Sequence, residues 1–212
     1  MRNRILFAAL ISFFQIDGNA QTINHPAYIG VLTGYGSTTW NGLVPRESNL
    51  NSAISLSTPI NVSEGGAVWG LVTGLEFTST FALELSYMHY PDADVGFDDI
   101  SLFTFENDGL KDFETHSETV SIIGKIMTPF FNTKVRVFSS FGAANLHRRD
   151  IVIDEWRITP TFGVGFNYLF GDKFLAEVVG NYTAGFGESR ISPTDSFYPF
   201  LYSVSLHMAY CF

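Results

Sequence analysis

The sequence predicts an all-β fold, an eight-stranded antiparallel up-and-down transmembrane β-barrel, on three observations. Apolar residues alternate with small or polar ones in eight segments, the period of a strand held between two environments. Tight turns and long connections alternate strictly along these segments, as in barrels with short periplasmic turns and long outer loops. Aromatic and aliphatic residues gather on one face while glycines and polar residues take the other, an inside-out arrangement that needs lipid. Segments of roughly nine to eleven residues suit a tilted membrane crossing.

Composition agrees. Of 212 residues, 46% are apolar and 16% aromatic, and only 16% are charged, against roughly 25% charged in soluble globular proteins. A single cysteine excludes a disulfide framework. The formal charge of −9 argues against nucleic acid as a partner, which would require a basic surface.

Met1 to Arg4 is basic, Ile5 to Phe14 is an apolar run broken only by Ser12, and Gly18-Asn-Ala20 places small residues before a cleavage point. This is the layout of a secretory signal peptide over residues 1–20, leaving residues 21–212 as the barrel. The run of about ten residues is too short for a spanning helix, which needs roughly 20.

The strands follow in order. In the first, Ala27, Ile29, Val31 and Tyr35 oppose Gly30, Leu32, Gly34 and Gly36. In the second, Ala67, Trp69, Leu71, Leu75 and Phe77 oppose Gly66, Gly70, Gly74 and Glu76. The third sets Phe81, Leu83, Leu85 and Tyr87 against Ala82, Glu84 and Ser86. The fourth sets Val120, Ile122 and Ile126 against Thr119, Ser121 and Lys125. The fifth sets Val135, Val137 and Phe141 against Arg136, Ser140 and Gly142. The sixth sets Phe162, Val164, Phe166 and Tyr168 against Thr161, Gly163, Gly165 and Asn167. The seventh is less regular, with Glu177 and Asn181 sharing their face with Leu175 and Val179. The eighth runs from Phe200 to the end of the chain. Turns fall at Thr78 to Thr80, Phe130 to Asn132 and Gly171-Asp172. Long loops are expected at about Ser37 to Glu64, Pro91 to His116, Asn145 to Trp156 and Phe186 to Ser196.

The alternation Leu206, Met208, Tyr210, Phe212 ends on an aromatic residue and resembles the C-terminal signal by which outer-membrane barrels are recognised by their insertion machinery. Gly124-Lys-Ile-Met-Thr-Pro129 and Pro160-Thr-Phe-Gly-Val-Gly-Phe-Asn-Tyr168 resemble segments of the outer membrane protein A family. Tyr28-Ile-Gly30 and Phe81-Ala-Leu-Glu-Leu-Ser-Tyr87 resemble its first and third strands. The resemblance spans essentially the whole chain after the leader and implies the N-terminal barrel of that family, without its periplasmic peptidoglycan-binding domain. It also implies an interior ion network at Glu84 and Lys125. Asn167 stands where the family pattern has an acid and Glu177 where it has a base, so the family's exchange of ion partners does not transfer intact.

Charged residues on the lipid face cost roughly 2–4 kcal/mol for Lys or Arg near the midplane, so Lys125 and Arg136 should point inward. Counted from the turns, Glu84, Lys125, Arg136 and Glu177 fall at similar heights, with Asn167 close by. An eight-stranded barrel is only wide enough to be filled by side chains, and buried charges must pair. A Glu84–Lys125 pair is therefore expected, with Arg136 and Glu177 completing a polar plug.

Eight acidic residues against Lys111 lie between Asp92 and Glu114. This makes an acidic second loop, led by Asp92, Asp94, Asp98 and Asp99, that holds most of the net charge. Its spacing is not that of a calcium loop, since Gly96 comes one residue early. A solvated acidic loop is the default reading, and weak bridging of divalent cations to lipopolysaccharide is the sharper one. Leu102 to Phe105 followed by Asn107-Asp-Gly109 reads as a hairpin. Arg148 and Arg149 suit lipopolysaccharide phosphates. His147 is conceivable as a catalytic residue, but no Ser or carboxylate stands in a recognisable motif around it. His207 and Cys211 should face inward. The expectation is a monomeric structural barrel with surface-contact loops open to host or phage partners, not an enzyme, with no cofactor and no metal. A small pore is the alternative, and a lipid-modifying enzyme the most distant one.

Overall fold

The computed structural model describes residues 26–45, 58–131, 133–171, 173–187 and 197–212. The expected signal peptide and the turn residues Asn132 and Asp172 lie outside the described residues. The described residues form eight long strands: β1 (Ala27–Ser37), β3 (Gly66–Thr78), β4 (Phe81–His89), β6 (Asp112–Pro129), β7 (Val135–Arg149), β8 (Asp154–Phe170), β9 (Phe174–Thr183) and β10 (Leu201–Cys211). Each pairs antiparallel with the next, and β10 returns to β1. The closed barrel foreseen from the alternation is therefore the fold, and closure removes the unpaired edges that would invite association. Two short strands, β2 (Asn61–Ser63) and β5 (Ala93–Gly96), extend the sheet above it. Here β5 continues along β6, and β2 adds to β5.

The two faces are inverted relative to a soluble protein. Ile29, Val31, Leu71, Ile122, Val164 and Val204 are exposed on the outer surface, whereas Glu84, Lys125, Asn167, Glu177 and His207 are buried in the lumen. The outward apolar run stops abruptly at one end. On β6 it passes from Ile126, Ile122 and Val120 to Glu118, His116 and Glu114, and on β8 from Val164, Phe162 and Ile158 to Trp156 and Asp154. Trp69 lies 6.0 Å from Tyr87 and 5.2 Å from His89 between ring centroids. Such an aromatic girdle marks the edge of the lipid band.

Small residues let the strands curl this tightly. A Cβ added at Gly142 on β7 would sit on the backbone carbonyl of Ile122 in the neighbouring strand. Gly142→Ala is accordingly expected to destabilise the barrel by about 1–3 kcal/mol, read as a lower urea midpoint for the loss of the compact band on unheated gels.

Two expectations for the loops need correction. The third connection is not a loop from Asn145 to Trp156. Strands β7 and β8 stay paired through Arg149↔Asp154, and the chain turns only over 150–153, where Asp150 accepts from the backbone N–H groups of Val152 and Ile153. Polar residues in this hairpin mark the exit from lipid, not the end of the ladder. Nor does Leu102 to Phe105 form a hairpin strand. It is the short helix α1 (Leu102–Glu106), whose N-cap Ser101 accepts from the Thr104 N–H. Asp108 (φ 54°) and Gly109 (φ 86°) turn the chain out of the helix, so the Asn-Asp-Gly signal acts as a helix stop.

Above the barrel the loops make a core of their own. Trp40, Val95, Phe97, Phe103, Phe113 and Phe197 form one buried cluster. Phe103 of α1 stacks on Phe97 at 4.4 Å.

Candidate functional site

Alternation along β4, β6 and β9 directs Glu84, Lys125 and Glu177 to the barrel axis. The Lys125 ammonium lies 2.5 Å from Glu84 Oε2 and 2.7 Å from Glu177 Oε2, with all three side chains 2–3% exposed. The Phe138 ring lies 4.8 Å below the same ammonium, so its remaining surface meets an aromatic face and not water. The Tyr28 hydroxyl donates to Glu84 at 2.8 Å. Its ring reaches across β3 only because position 74 is glycine, since a Cβ there would meet the ring.

Arg136 is not part of this central group. Its guanidinium makes a two-pronged contact with Glu76, at 2.9 and 2.6 Å, and donates from Nε to Asn167 Oδ1 at 2.9 Å. Asn167 in turn donates to Glu177 at 3.2 Å. The single layer expected from counting is therefore two adjoining tiers, Glu76–Arg136 and Glu84–Lys125–Glu177, joined by Asn167. The neutral amide can accept from the cation and donate to the acid at once, which a carboxylate could not do. His207 also joins, with Nδ1 3.5 Å from Glu177 Oε2 and Nε2 2.9 Å from the Ser205 hydroxyl. Glu76, Tyr28 and His207 join a network for which the sequence named only Glu84, Lys125, Arg136, Glu177 and Asn167. Glu76 lay on the inward face and was legible there, whereas His207 meets Glu177 through a β9–β10 register that no local signal reveals.

A third buried group lies toward the loop end, and it overturns one expectation. Arg148 does not face lipopolysaccharide; its side chain is fully buried. Nε donates to Asp150 at 2.6 Å, Nη1 donates to the Phe197 carbonyl at 2.5 Å, and the guanidinium lies 4.7 Å from the Trp40 ring. Because β7 continues above the membrane edge, parity sends Arg148 inward and leaves Arg149 exposed outward.

On the outer rim His147 stacks on Trp156 at 4.3 Å. Its ring nitrogens contact Glu118 at 2.8 Å and Asp154 at 2.7 Å, while the Tyr87 hydroxyl donates to Glu118 at 2.6 Å. In the acidic loop Asp92 contacts His116, and the carboxylate of Asp98 accepts from the Ile100 N–H. Asp99 pairs with Lys111 at 2.8 Å, and that hydrogen bond and charge raise the lysine's pKa. With both partners open to water the pair adds little. Asp94 is exposed opposite Glu114. The C-terminal Leu206, Met208, Tyr210 and Phe212 all point outward, and Phe212 donates its N–H to the Ala27 carbonyl at 2.8 Å, at the seam where last strand meets first. Cys211 is buried on the inner side.

No protein-family model and no curated protein sequence matches the chain. Solved structures do. Outer membrane protein AlkL, determined in lipid bilayers, aligns with a TM-score of 0.52 at 13% identity over 93% of this chain and 95% of its own. Outer membrane protein OprG of Pseudomonas aeruginosa aligns with a TM-score of 0.51 at 11% identity, covering 89% of this chain and 96% of its own. The N-terminal barrel domain of OprF from Pseudomonas aeruginosa also aligns, with a TM-score of 0.47 at 13% identity, 89% of this chain and 98% of its own. The fold is that of bacterial outer-membrane barrels, as the resemblance to the outer membrane protein A family implied. The outward apolar band is the surface such a barrel sets against lipid.

Proposed function

We propose that this outer-membrane barrel is a plugged, non-conducting envelope protein whose role is structural support and surface contact through its outer loops. The observation that carries this reading is the Lys125 ammonium held between Glu84 and Glu177 on the axis, with side chains 2–3% exposed. Arg148 stacked on Trp40 toward the loops and Arg136 paired with Glu76 toward the turns would narrow the two mouths. No chemistry beyond packing and contact is required of these residues, so the protein is read as a non-enzyme. Lipopolysaccharide phosphates would meet Arg149, the arginine of the pair that faces outward. The terminal Phe212 and its alternating partners would be read by the insertion machinery before the seam closes.

A small ion pore is the second reading. It draws on the same lysine, because a cation shared by two acids can lean to either and open one side of the axis. Planar-bilayer recording separates the two. The purified barrel is expected to give no single-channel steps, and Lys125→Ala is expected to leave it silent while the tiers above and below remain. Stable conductance steps from the unaltered protein that change size in Lys125→Ala would establish the pore in place of the plug.

A further inference from the structure

A second cluster of metal-ligating side chains lies outside the lumen. Asp92 sits just before β5, and Glu114 and His116 project from the outward side of β6. One donor atom from each residue lies within 4.8 Å of the other two. The backbone holds them there. Strand β5 pairs with β6 in the register Ala93↔Thr115 and Asp94↔Glu114, while β4 pairs lower down through His89↔Glu118. The junction of β4 and β5 is thereby carried past His116. Glu114 and His116 are two residues apart on one strand, which places both on one face about 7 Å apart at Cα. His116 Nδ1 is 2.5 Å from Asp92 Oδ1, so an entering ion must part the two atoms by about 1 Å, and side chains 34% and 37% exposed have room to do so.

We propose that Asp92, Glu114 and His116 form an open three-ligand site for a divalent transition-metal ion of the zinc class. One imidazole nitrogen and two carboxylates, with water in the fourth position, is a donor set that suits zinc and its neighbours. Calcium and magnesium instead select all-oxygen surroundings. The two carboxylates neutralise the ion, and Asp94, Asp98 and Asp112 nearby in the chain add a negative field that concentrates cations at this loop. The other imidazole–carboxylate groups are arranged differently. Around His147 the two acids contact opposite ring nitrogens, so they do not converge on one point. The inner group of Glu84, Glu177 and His207 already has the Lys125 ammonium against both acids. A metal at the outer site would pin the β4–β5 junction to β6 just above the membrane edge, whether or not the barrel conducts.

Zinc titration calorimetry on the untagged, folded barrel in detergent tests the site, with cobalt absorption as an independent readout. One zinc ion per chain is expected, not displaced by a large excess of calcium. His116→Ala is expected to weaken binding by about tenfold or more, as are Asp92→Asn and Glu114→Gln, while His147→Ala leaves it unchanged. Each variant is checked for folding by its gel mobility before heating. The site is overturned if the unaltered protein binds no zinc, if calcium displaces zinc readily, or if His116→Ala binds as tightly as the parent. Loss of binding in His147→Ala with retention in His116→Ala would overturn it equally.

Discussion

Replacing Lys125 by Met is expected to destabilise the folded barrel by about 3–5 kcal/mol, the cost of removing one partner from a buried ion pair. The ammonium contacts Glu84 at 2.5 Å and Glu177 at 2.7 Å. Without it two buried carboxylates face each other across the axis with one hydroxyl donor from Tyr28, one amide donor from Asn167 and the His207 ring 3.5 Å from Glu177. Methionine fills most of the lysine's volume, so the loss measures charge and not a cavity. The triple variant Lys125→Met, Glu84→Gln, Glu177→Gln is expected to recover most of the stability, because neutral amides need hydrogen bonds but no counter-ion. Urea titrations followed by the compact band on unheated gels give both values. A Lys125→Met midpoint equal to that of the parent would mean that the buried ion network does not stabilise the folded barrel. Lys111→Met, which removes the water-exposed pair with Asp99, should leave the midpoint where it was.

The fold was legible because a barrel in lipid writes both faces of every strand into the sequence. Ile122 next to Ser121, or Val204 next to Ser205, assigns outside and inside without any knowledge of neighbours. The polar lining was legible for the same reason, since Lys125 and Arg136 have nowhere to go but inward. Partner choice was legible for Glu84 and Lys125, which pair as expected, but not for Arg136 or His207. Counting residues from the turns treats the strands as if they stood upright, whereas barrel strands tilt and are staggered by the shear of the sheet. That stagger separates Arg136 from the Lys125 tier and sets it against Glu76, and it brings His207 level with Glu177. Arg148 was misplaced for a related reason. A run of polar residues reads as a loop, but the β7–β8 ladder continues through it, so strand parity and not loop exposure decides where the guanidinium goes. The loop core was invisible too, because Trp40, Phe103 and Phe197 are brought together by the closure of the barrel beneath them.

Arg148→Met should produce the second large effect, and one of a different kind. Asp150 would keep the backbone donors of Val152 and Ile153 but lose its buried guanidinium, and the Phe197 carbonyl would lose the donor at 2.5 Å. The expected cost is again about 3–5 kcal/mol, concentrated at the outer mouth, because Arg148 ties the β7–β8 turn to the segment leading into β10. Trp40 reports this directly. It is fully buried under the arginine, while Trp69 and Trp156 are about half exposed on the outer face. Acrylamide quenching should therefore gain a component in Arg148→Met that is absent from the parent, at urea concentrations below those that unfold the barrel. Lysine at this position should restore the charge but only part of the protection, since an ammonium cannot match the guanidinium's planar fork and its stacking on the indole. If quenching in Arg148→Met matched the parent until the barrel itself unfolded, the mouth would be held by the aromatic cluster of Trp40, Phe113 and Phe197. The arginine's role would then be confined to neutralising Asp150.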